Sequence, residues 1–291
     1  MLGPRSTERV AYGNRCPQDC GVLTDLAINP TDMAPSEVVE AAMAAEEAGF
    51  DGVWTYDHLS GVSMGGTSIP EIWTLLGAIG AVTRRVNVGP LVANVTTRHP
   101  AVLAIAAATL QELTGGRAML GLGAGAGPGS PYALEFEMVG IEARPAATRR
   151  EMVVDTINVI RGLWRGEPDV TGRHHGLTGA VGFIRPDPLP PIIVGANGPK
   201  MSALAGRSAD GVNIHTYEPE LDSLIEVARA AATGRNTMVT VEAVLGDEWL
   251  QPDHPSRKRM IDLGVDRLVL AWTGDQGTQA IARAGKLAQL G

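Results

Sequence analysis

The pair Asp57-His58 carries the side chains best suited to proton transfer, and it directly follows a short apolar run at 52–56. An imidazole can donate or accept a proton near neutral pH, as a general acid or base must. The same pair can instead be a structural contact that closes a loop. The spacing leaves both interpretations open, and the catalytic one makes Asp57 and His58 the candidate catalytic residues.

The glycine-rich segment Gly121-Leu122-Gly123-Ala124-Gly125-Ala126 has the spacing of a dinucleotide-binding fingerprint. That fingerprint requires a helix to begin at once, and Pro128, Gly129 and Pro131 oppose a regular helix there. We therefore interpret the segment as a loop whose backbone approaches a flat ligand. Gly125 is its candidate binding residue.

A second loop, Gly195-Ala196-Asn197-Gly198-Pro199-Lys200, follows an apolar run and opens a helical stretch. Its glycines expose backbone N–H groups, Pro199 suits the first helical turn, and the dipole of the helix favours an anion. Lys200 adds positive charge. We predict a phosphate site at this loop, and the alternative is a plain tight turn.

Other polar residues follow further apolar runs of the chain. Asn94 and Thr96 follow the third run, and His215-Thr216 follows the sixth. Arg98 opens the next helical stretch, where it can hold a cofactor phosphate or pair with a carboxylate inside the fold. These two roles of Arg98 cannot be separated from the sequence.

The remaining charged clusters are interpreted as surface features. Arg149, Arg150 and Glu151 open a long helical stretch, where we expect surface charge pairs. His174 and His175 lie in an irregular segment without a neighbouring cluster of carboxylates or cysteines. Because zinc sites need several such ligands together, we predict no metal site.

The elements that must position these residues alternate regularly along the chain. Helical stretches separate the apolar runs, and this alternation predicts βαβ units and a parallel sheet. Eight such units predict an α/β protein with a closed (β/α)₈ TIM barrel, whose functional residues gather at the carboxyl ends of the strands. The predicted strands are 22–28, 52–56, 86–93, 118–123, 192–195, 212–215, 238–245 and 268–272. The predicted helices are 35–48, 69–83, 100–113, 148–164, 200–208, 220–232, 255–263 and 278–290.

Glycines mark several of the helix ends and support one barrel domain over residues 1–291. Gly49, Gly115 and Gly264 each follow a helical stretch, where glycine adopts a left-handed cap at little cost. The irregular stretch 173–190 is interpreted as an insertion before the fifth strand, with a small extra strand at 181–184. The units after His215 are compressed, so we expect a shortened C-terminal part.

Composition excludes several classes of partner. The formal net charge is -8, whereas nucleic-acid binding needs clustered Lys and Arg. The apolar run 101–110 is far shorter than the roughly 20 residues of a membrane-spanning helix, and the N-terminus lacks an apolar core segment. Cys16 and Cys20, the two cysteines, are interpreted as reduced structural thiols rather than a redox or metal pair. We predict a cytoplasmic protein without nucleic-acid or membrane partners.

Five ordered segments resemble the luciferase-like monooxygenase superfamily over roughly residues 22–216. Within it, the chain looks most like the branch that uses the deazaflavin coenzyme F420, especially methylene-tetrahydromethanopterin reductases. The segments are AEEAGFDGVWTYDH at 45–58, VTTRHPAV at 95–102, GRAMLGLGAG at 116–125, PIIVGANGPKM at 191–201 and AGRSADG at 205–211.

The resemblance implies an enzyme that transfers a hydride between F420 and an unidentified small organic substrate. A bulge with a non-proline cis peptide near Leu91-Val92 would press against the middle ring of the deazaflavin. Asp57 and His58 would lie beside the ring and the substrate, and Asn94 would contact the ring edge. The remaining cofactor-binding residues would be Gly125, Ala196, Asn197, Gly198, His215 and Thr216.

Alternatives to this function remain. The first is an FMN-dependent monooxygenase that uses reduced flavin and oxygen, and another is a barrel that binds a flavin-like ligand as a sensor or carrier. A metal-dependent hydrolase has no supporting cluster. The similar sugar-phosphate dehydrogenases carry a glutamic acid where this chain has Ala126, which weakens a glucose-6-phosphate dehydrogenase reading. By analogy with similar barrels, we expect a homodimer.

Overall fold

Nine parallel strands form one sheet in a computed structural model that describes residues 21–274 and 277–290. The order β3-β2-β1-β9-β8-β7-β6-β5-β4 places the first and last strands side by side in the middle of the sheet. The strands are β1 (Leu23–Ile28), β2 (Gly52–Thr55), β3 (Asn87–Pro90), β4 (Ala93–Asn94), β5 (Leu120–Gly123), β6 (Ile192–Gly195), β7 (Gly211–His215), β8 (Met238–Val244) and β9 (Arg267–Trp272). The expectations for Cys16 and Cys20 fall outside the described residues.

The two ends of the sheet meet and close it into the predicted barrel. Val88 on β3 forms a parallel bridge with Ala118, just before β5. The Val88 N–H donates to the Arg117 carbonyl at 3.0 Å, and the Met119 N–H donates to the Val88 carbonyl at 3.0 Å. The (β/α)₈ prediction is therefore confirmed.

The third predicted strand, 86–93, is divided into β3 and β4. The break lies at Leu91-Val92, whose peptide bond is cis, as the family resemblance implied. This division explains why the sheet has nine strands and the barrel eight positions. Leu91 and Val92 both line the mouth of the barrel.

The eight predicted helices are present, with ends that differ by up to three residues from the prediction. Two short helices near the mouth, α4 and α8, were not predicted. The glycine caps are confirmed, because Gly49, Gly115 and Gly264 have φ values of 93°, 63° and 66°. The helices are α1 (Pro35–Glu47), α2 (Ile72–Val82), α3 (Pro100–Thr114), α4 (Leu134–Met138), α5 (Ala146–Arg165), α6 (Pro199–Ser208), α7 (Leu221–Ala231), α8 (Asp247–Leu250), α9 (Pro255–Asp262) and α10 (Gly277–Leu287). None of these described helices is both long and apolar enough to cross a membrane.

The insertion before β6 does not contain the predicted strand at 181–184. Val181 is 81% exposed, and the segment has no strand hydrogen bonds. The barrel is closed, so no sheet edge is free to pair with a short extra strand. Instead, Leu177 in the insertion forms an antiparallel bridge with Val170, which precedes it, with N–H to carbonyl distances of 2.8 and 3.1 Å.

Below the mouth, the barrel interior is filled by side chains. Trp54, Leu91 and Met119 belong to a small apolar cluster inside the strands. Beneath it, the fully buried ion pair of Asp25 and Arg267 joins β1 to β9 at 2.6 Å, and the Trp54 indole N–H donates to Asp25 at 2.8 Å. This packed floor leaves the carboxyl ends of the strands as the place for a ligand.

Three tryptophans near the strands, Trp54, Trp73 and Trp272, lie in packing positions. Trp54 and Trp272 are 1% and 4% exposed, and Trp73 packs against the main core between barrel and helices. None of the three lines the mouth. The mouth instead contains Trp249, which stands on α8.

Candidate active site

A cavity of about 1200 Å³ opens at the carboxyl ends of the strands. Segments that follow eight of the nine strands contribute to its wall, as expected for a barrel whose strand ends share one face. Ten of the eleven residues predicted from the sequence line it: Asp57, His58, Leu91, Val92, Asn94, Gly125, Asn197, Gly198, His215 and Thr216.

Ala196, the eleventh residue, is turned away from the cavity. Its side chain is fully buried in the main core, and its amide N–H donates to the Asn213 carbonyl at 2.9 Å as a continuation of the β6–β7 ladder. The amide is thus unavailable for a phosphate. Within the predicted phosphate loop, Asn197 and Gly198 face the cavity.

Asp57 is buried just after β2 and is bound by the protein through one carboxylate oxygen. One carboxylate oxygen accepts a hydrogen bond from the Asn94 N–H at 2.8 Å and from the Arg98 guanidinium at 2.5 Å. Burial raises the pKa of Asp57, and the contacts with Arg98 and the Asn94 amide oppose that rise. Arg98 also pairs with Glu71 at 3.0 Å, so its role is the carboxylate pairing rather than the phosphate contact.

His58, next along the chain, contacts a carboxylate that the sequence did not reveal. Its Nδ1 lies 3.1 Å from Oε1 of Glu135, on α4. The Glu135 side chain is only 1% exposed, and its other oxygen accepts the N–H groups of Leu59 and Ser60 at 2.8 and 3.3 Å. Burial opposes ionisation of Glu135, but the hydrogen bonds from His58 and the two amides outweigh it and lower the pKa of that carboxyl.

A second buried carboxylate, Glu242 on β8, lies across the mouth and was also missed. It accepts the Tyr56 hydroxyl at 2.7 Å and the Asn213 side-chain amide at 3.4 Å, and His215 Nδ1 lies 3.5 Å away. Burial and the Glu242 charge raise the pKa of Tyr56 well above its usual value. Its sequence signal was weak: one acid within the apolar run of Met238–Val244.

A cationic flank, defined as Arg149, Arg150 and Lys200, lines the cavity beside the Gly198 turn. The Arg149 guanidinium donates to the Gly125 carbonyl, so α5 is tied to the glycine-rich loop. Burial and the Arg150 charge lower the pKa of Arg149. The expectation of surface charge pairs was therefore wrong for Arg149 and Arg150, because α5 begins at the mouth; it holds for Glu151, which pairs with exposed partners.

This flank has the donors that a phosphate needs. Helix α6 begins at Pro199, and within the described part of the chain the N–H groups of Gly198 and Lys200 have no acceptor. A Cβ at Gly198 would meet no atom within 4 Å, so the space beside this backbone is open. Free amides, a helix dipole and three cations together fit an anionic group.

The glycine-rich loop at 121–126 allows close packing between strands and also lines the cavity. A Cβ at Gly121 would lie 2.2 Å from the Pro90 carbonyl oxygen, and one at Gly123 would lie 2.3 Å from Val92 Cγ2. These two glycines let β5 pass directly against the segment around Val92. Gly125 has φ 68° and lines the cavity. No helix begins here before Pro131, which rules out the dinucleotide fingerprint.

The chemistry available at the mouth is proton transfer and anion binding. Across residues 21–274 and 277–290, no group of three or more His, Cys, Asp or Glu side chains is arranged to hold a metal ion. Apolar residues complete the wall, including Met64, Phe136 and Trp249. A large, partly apolar cavity with one cationic side suits a planar organic molecule that carries a phosphate.

Comparisons with known proteins support this interpretation of the fold. An F420-dependent glucose-6-phosphate dehydrogenase of Microbacterium testaceum is 37% identical over 190 residues, which are 64% of this chain and 55% of the relative. A 5,10-methylenetetrahydromethanopterin reductase of Archaeoglobus fulgidus is 34% identical over 191 residues, 65% of this chain and 52% of the relative. The chain thus spans about half the length of these curated relatives.

Among solved structures, an F420-dependent secondary alcohol dehydrogenase in complex with an F420-acetone adduct has the same fold. The TM-score is 0.74 at 19% sequence identity, and the alignment covers 93% of this chain and 99% of the dehydrogenase. Residues 19–247 match the profile of the luciferase-like monooxygenases. The chain therefore belongs to the luciferase-like monooxygenase family.

Proposed function

We propose that this protein is an F420-dependent oxidoreductase that transfers a hydride between the deazaflavin and a small organic substrate. The observation that carries the proposal is the meeting of His58, Asn94 and the Asn197-Gly198 turn around one cavity of about 1200 Å³. The relatives that are named as F420-dependent enzymes support the same coenzyme.

The Gly198 turn and the cationic flank would hold the coenzyme's phosphate. The free amides of Gly198 and Lys200 would donate to it, and Arg149 and Arg150 would balance its charge. Asn94 would contact the edge of the ring through its amide nitrogen, because its side-chain oxygen already accepts the Thr96 N–H and hydroxyl at 2.9 and 2.6 Å.

The chain's own residues provide the remaining parts of the site. Leu91 and Val92 present a backbone surface for the ring, and His215 and Thr216 line the opposite wall. When bound, F420 supplies the hydride acceptor or donor at the carbon that replaces N5 of a flavin. His58 holds or releases the substrate proton, and Asp57 keeps the end of β2 in register with Asn94.

Titration of the purified protein with F420 and with FMN tests the coenzyme. We expect saturable F420 binding and weak FMN binding, measured by fluorescence under anaerobic conditions. The second candidate function, an FMN-dependent monooxygenase, is favoured by the family to which the chain belongs. Tight binding of FMN together with undetectable binding of F420 would refute the first proposal in favour of the second.

Replacement of His58 by alanine tests whether the site is catalytic. We expect a loss of turnover of about 10²–10⁴-fold with the best substrate of an alcohol and carbonyl panel, and little change in F420 affinity. His174→Ala is the matched control, because His174 is an exposed histidine paired with Glu151 outside the cavity. An unchanged rate in His58→Ala removes His58 from the mechanism, whereas a wild type that binds F420 without any turnover favours a sensor or carrier.

The homodimer, the cytoplasmic location and the single domain over 1–291 stay predictions. Sedimentation velocity measures the oligomeric state, and cell fractionation measures the cellular location. A single calorimetric transition is expected for one domain.

A further inference from the structure

The carboxylate of Glu135 is fixed in orientation relative to the His58 ring. Its Oε2 accepts the N–H groups of Leu59 and Ser60, the two residues that follow His58, at 2.8 and 3.3 Å. Its Oε1 then faces His58 Nδ1 at 3.1 Å. One buried side chain therefore holds the backbone after the histidine and one edge of its ring.

An ionised Glu135 can select which nitrogen of His58 carries the proton. Hydrogen bonds lower the pKa of Glu135 despite its burial, so the carboxylate is ionised near neutral pH and can only accept. A neutral imidazole that contacts it must place its hydrogen on Nδ1, which leaves Nε2 as an acceptor. Nε2 has no hydrogen-bond partner among the described residues, and the half-buried His58 ring lines the cavity.

We propose that Glu135 is a positioning residue that keeps His58 in the Nδ1–H tautomer, so that Nε2 receives the substrate's proton. The proposal rests on the proposed function. In the oxidation of an alcohol, the C–H bond breaks and its hydride leaves to F420. The O–H bond breaks, its proton goes to Nε2, and a C=O bond forms. The resulting imidazolium is stabilised by the ionised Glu135, and the reverse reaction returns the proton.

The variant Glu135→Gln separates orientation from charge with almost no change in shape. The glutamine oxygen can still accept the N–H groups of Leu59 and Ser60. Its NH₂ group then faces Nδ1 and donates to it, so the imidazole hydrogen moves to Nε2. A histidine in this tautomer cannot receive a proton at Nε2, and the analogous Asp→Asn change in serine proteases lowers kcat by about 10⁴-fold.

Nitrogen NMR of histidine-labelled protein without coenzyme measures the tautomer directly. The chain has six histidines, and the His58 signals are assigned by their loss in His58→Ala. At a pH well above neutral, we expect the Nδ1–H form in the wild type and the Nε2–H form in Glu135→Gln. An Nε2–H form in the wild type overturns the proposal by itself, whether or not any variant folds.

The kinetic arm uses the F420-loaded enzyme. We expect Glu135→Gln to lower kcat by about 10²–10⁴-fold while F420 affinity changes less than about threefold. Glu137→Gln, an exposed glutamate on the same helix α4, is the matched control and should leave both unchanged. A kcat within threefold of the wild type in Glu135→Gln overturns the proposal. Failure of the wild type to bind F420 refutes the proposed function instead, and the NMR result still decides the tautomer.

Discussion

Replacing Arg98 by methionine removes the cation that faces the Asp57 carboxylate and keeps most of the side chain's length. Asp57 is 2% exposed and Arg98 is 15% exposed, with 2.5 Å between their interacting atoms. Breaking a buried pair from one side costs about 3–5 kcal/mol, because the remaining charge is left without compensation. Arg98 is partly solvated, and the Asn94 N–H still donates to Asp57 in the variant. We therefore expect Arg98→Met to lower the free energy of unfolding by about 3 kcal/mol.

The loss of unfolding free energy in Arg98→Met should grow as pH rises. Burial raises the pKa of Asp57, and loss of Arg98 raises its folded-state pKa further above that of the unfolded chain. A carboxyl with a raised folded-state pKa loses stability as pH rises through that pKa. The free-energy difference between wild type and Arg98→Met should therefore be larger at about pH 7.5 than at about pH 5.

Urea denaturation followed by circular dichroism measures the free energy of unfolding of the wild type and of Arg98→Met at each pH. Arg165→Met is the matched control, because Arg165 and its partner Glu167 are 52% and 44% exposed. Exposed pairs of this kind contribute little to stability, because water screens their charges. A cost in Arg98→Met as small as that of the control, with no change between the two pH values, would refute the assignment of a buried, coupled pair.

Two further predictions address stability and ligand binding. The Glu46 carboxylate accepts backbone N–H groups of Arg85 and Val86, and these bonds lower its pKa despite burial. Glu46→Gln should therefore lower the free energy of unfolding by about 1 kcal/mol at neutral pH, and by less as pH falls through the folded-state pKa. A difference in urea unfolding that does not change with pH would contradict this. Gly198→Ala should leave stability within about 0.5 kcal/mol but weaken F420 binding about tenfold in a fluorescence titration, because its methyl group enters open cavity space. Gly77→Ala, also with open space at its Cβ, is the control, and equal affinities in the two variants would place the phosphate elsewhere.

Local signals in the sequence determined the order of elements and, through it, the position of the mouth. Apolar runs and glycine caps depend on neighbouring residues, which is why the helices and eight barrel positions were predicted correctly. Parallel strands in a barrel end on one face, so the residues after those strands had to meet. The strand at 181–184 failed because strand formation also needs a free sheet edge, which local patterning cannot reveal.

Tertiary structure alone decided which polar groups touch. His58 and Glu135 are 77 residues apart, and Tyr56 and Glu242 are 186 residues apart. Nothing in the neighbourhood of Glu135 distinguishes it from an ordinary glutamate, and Glu242 has only the weak signal of one acid within an apolar run. The same holds for Arg149, whose place at the mouth depends on where α5 packs against the barrel. Residue types and strand ends are local properties, whereas hydrogen-bond partners across the mouth depend on how the barrel closes.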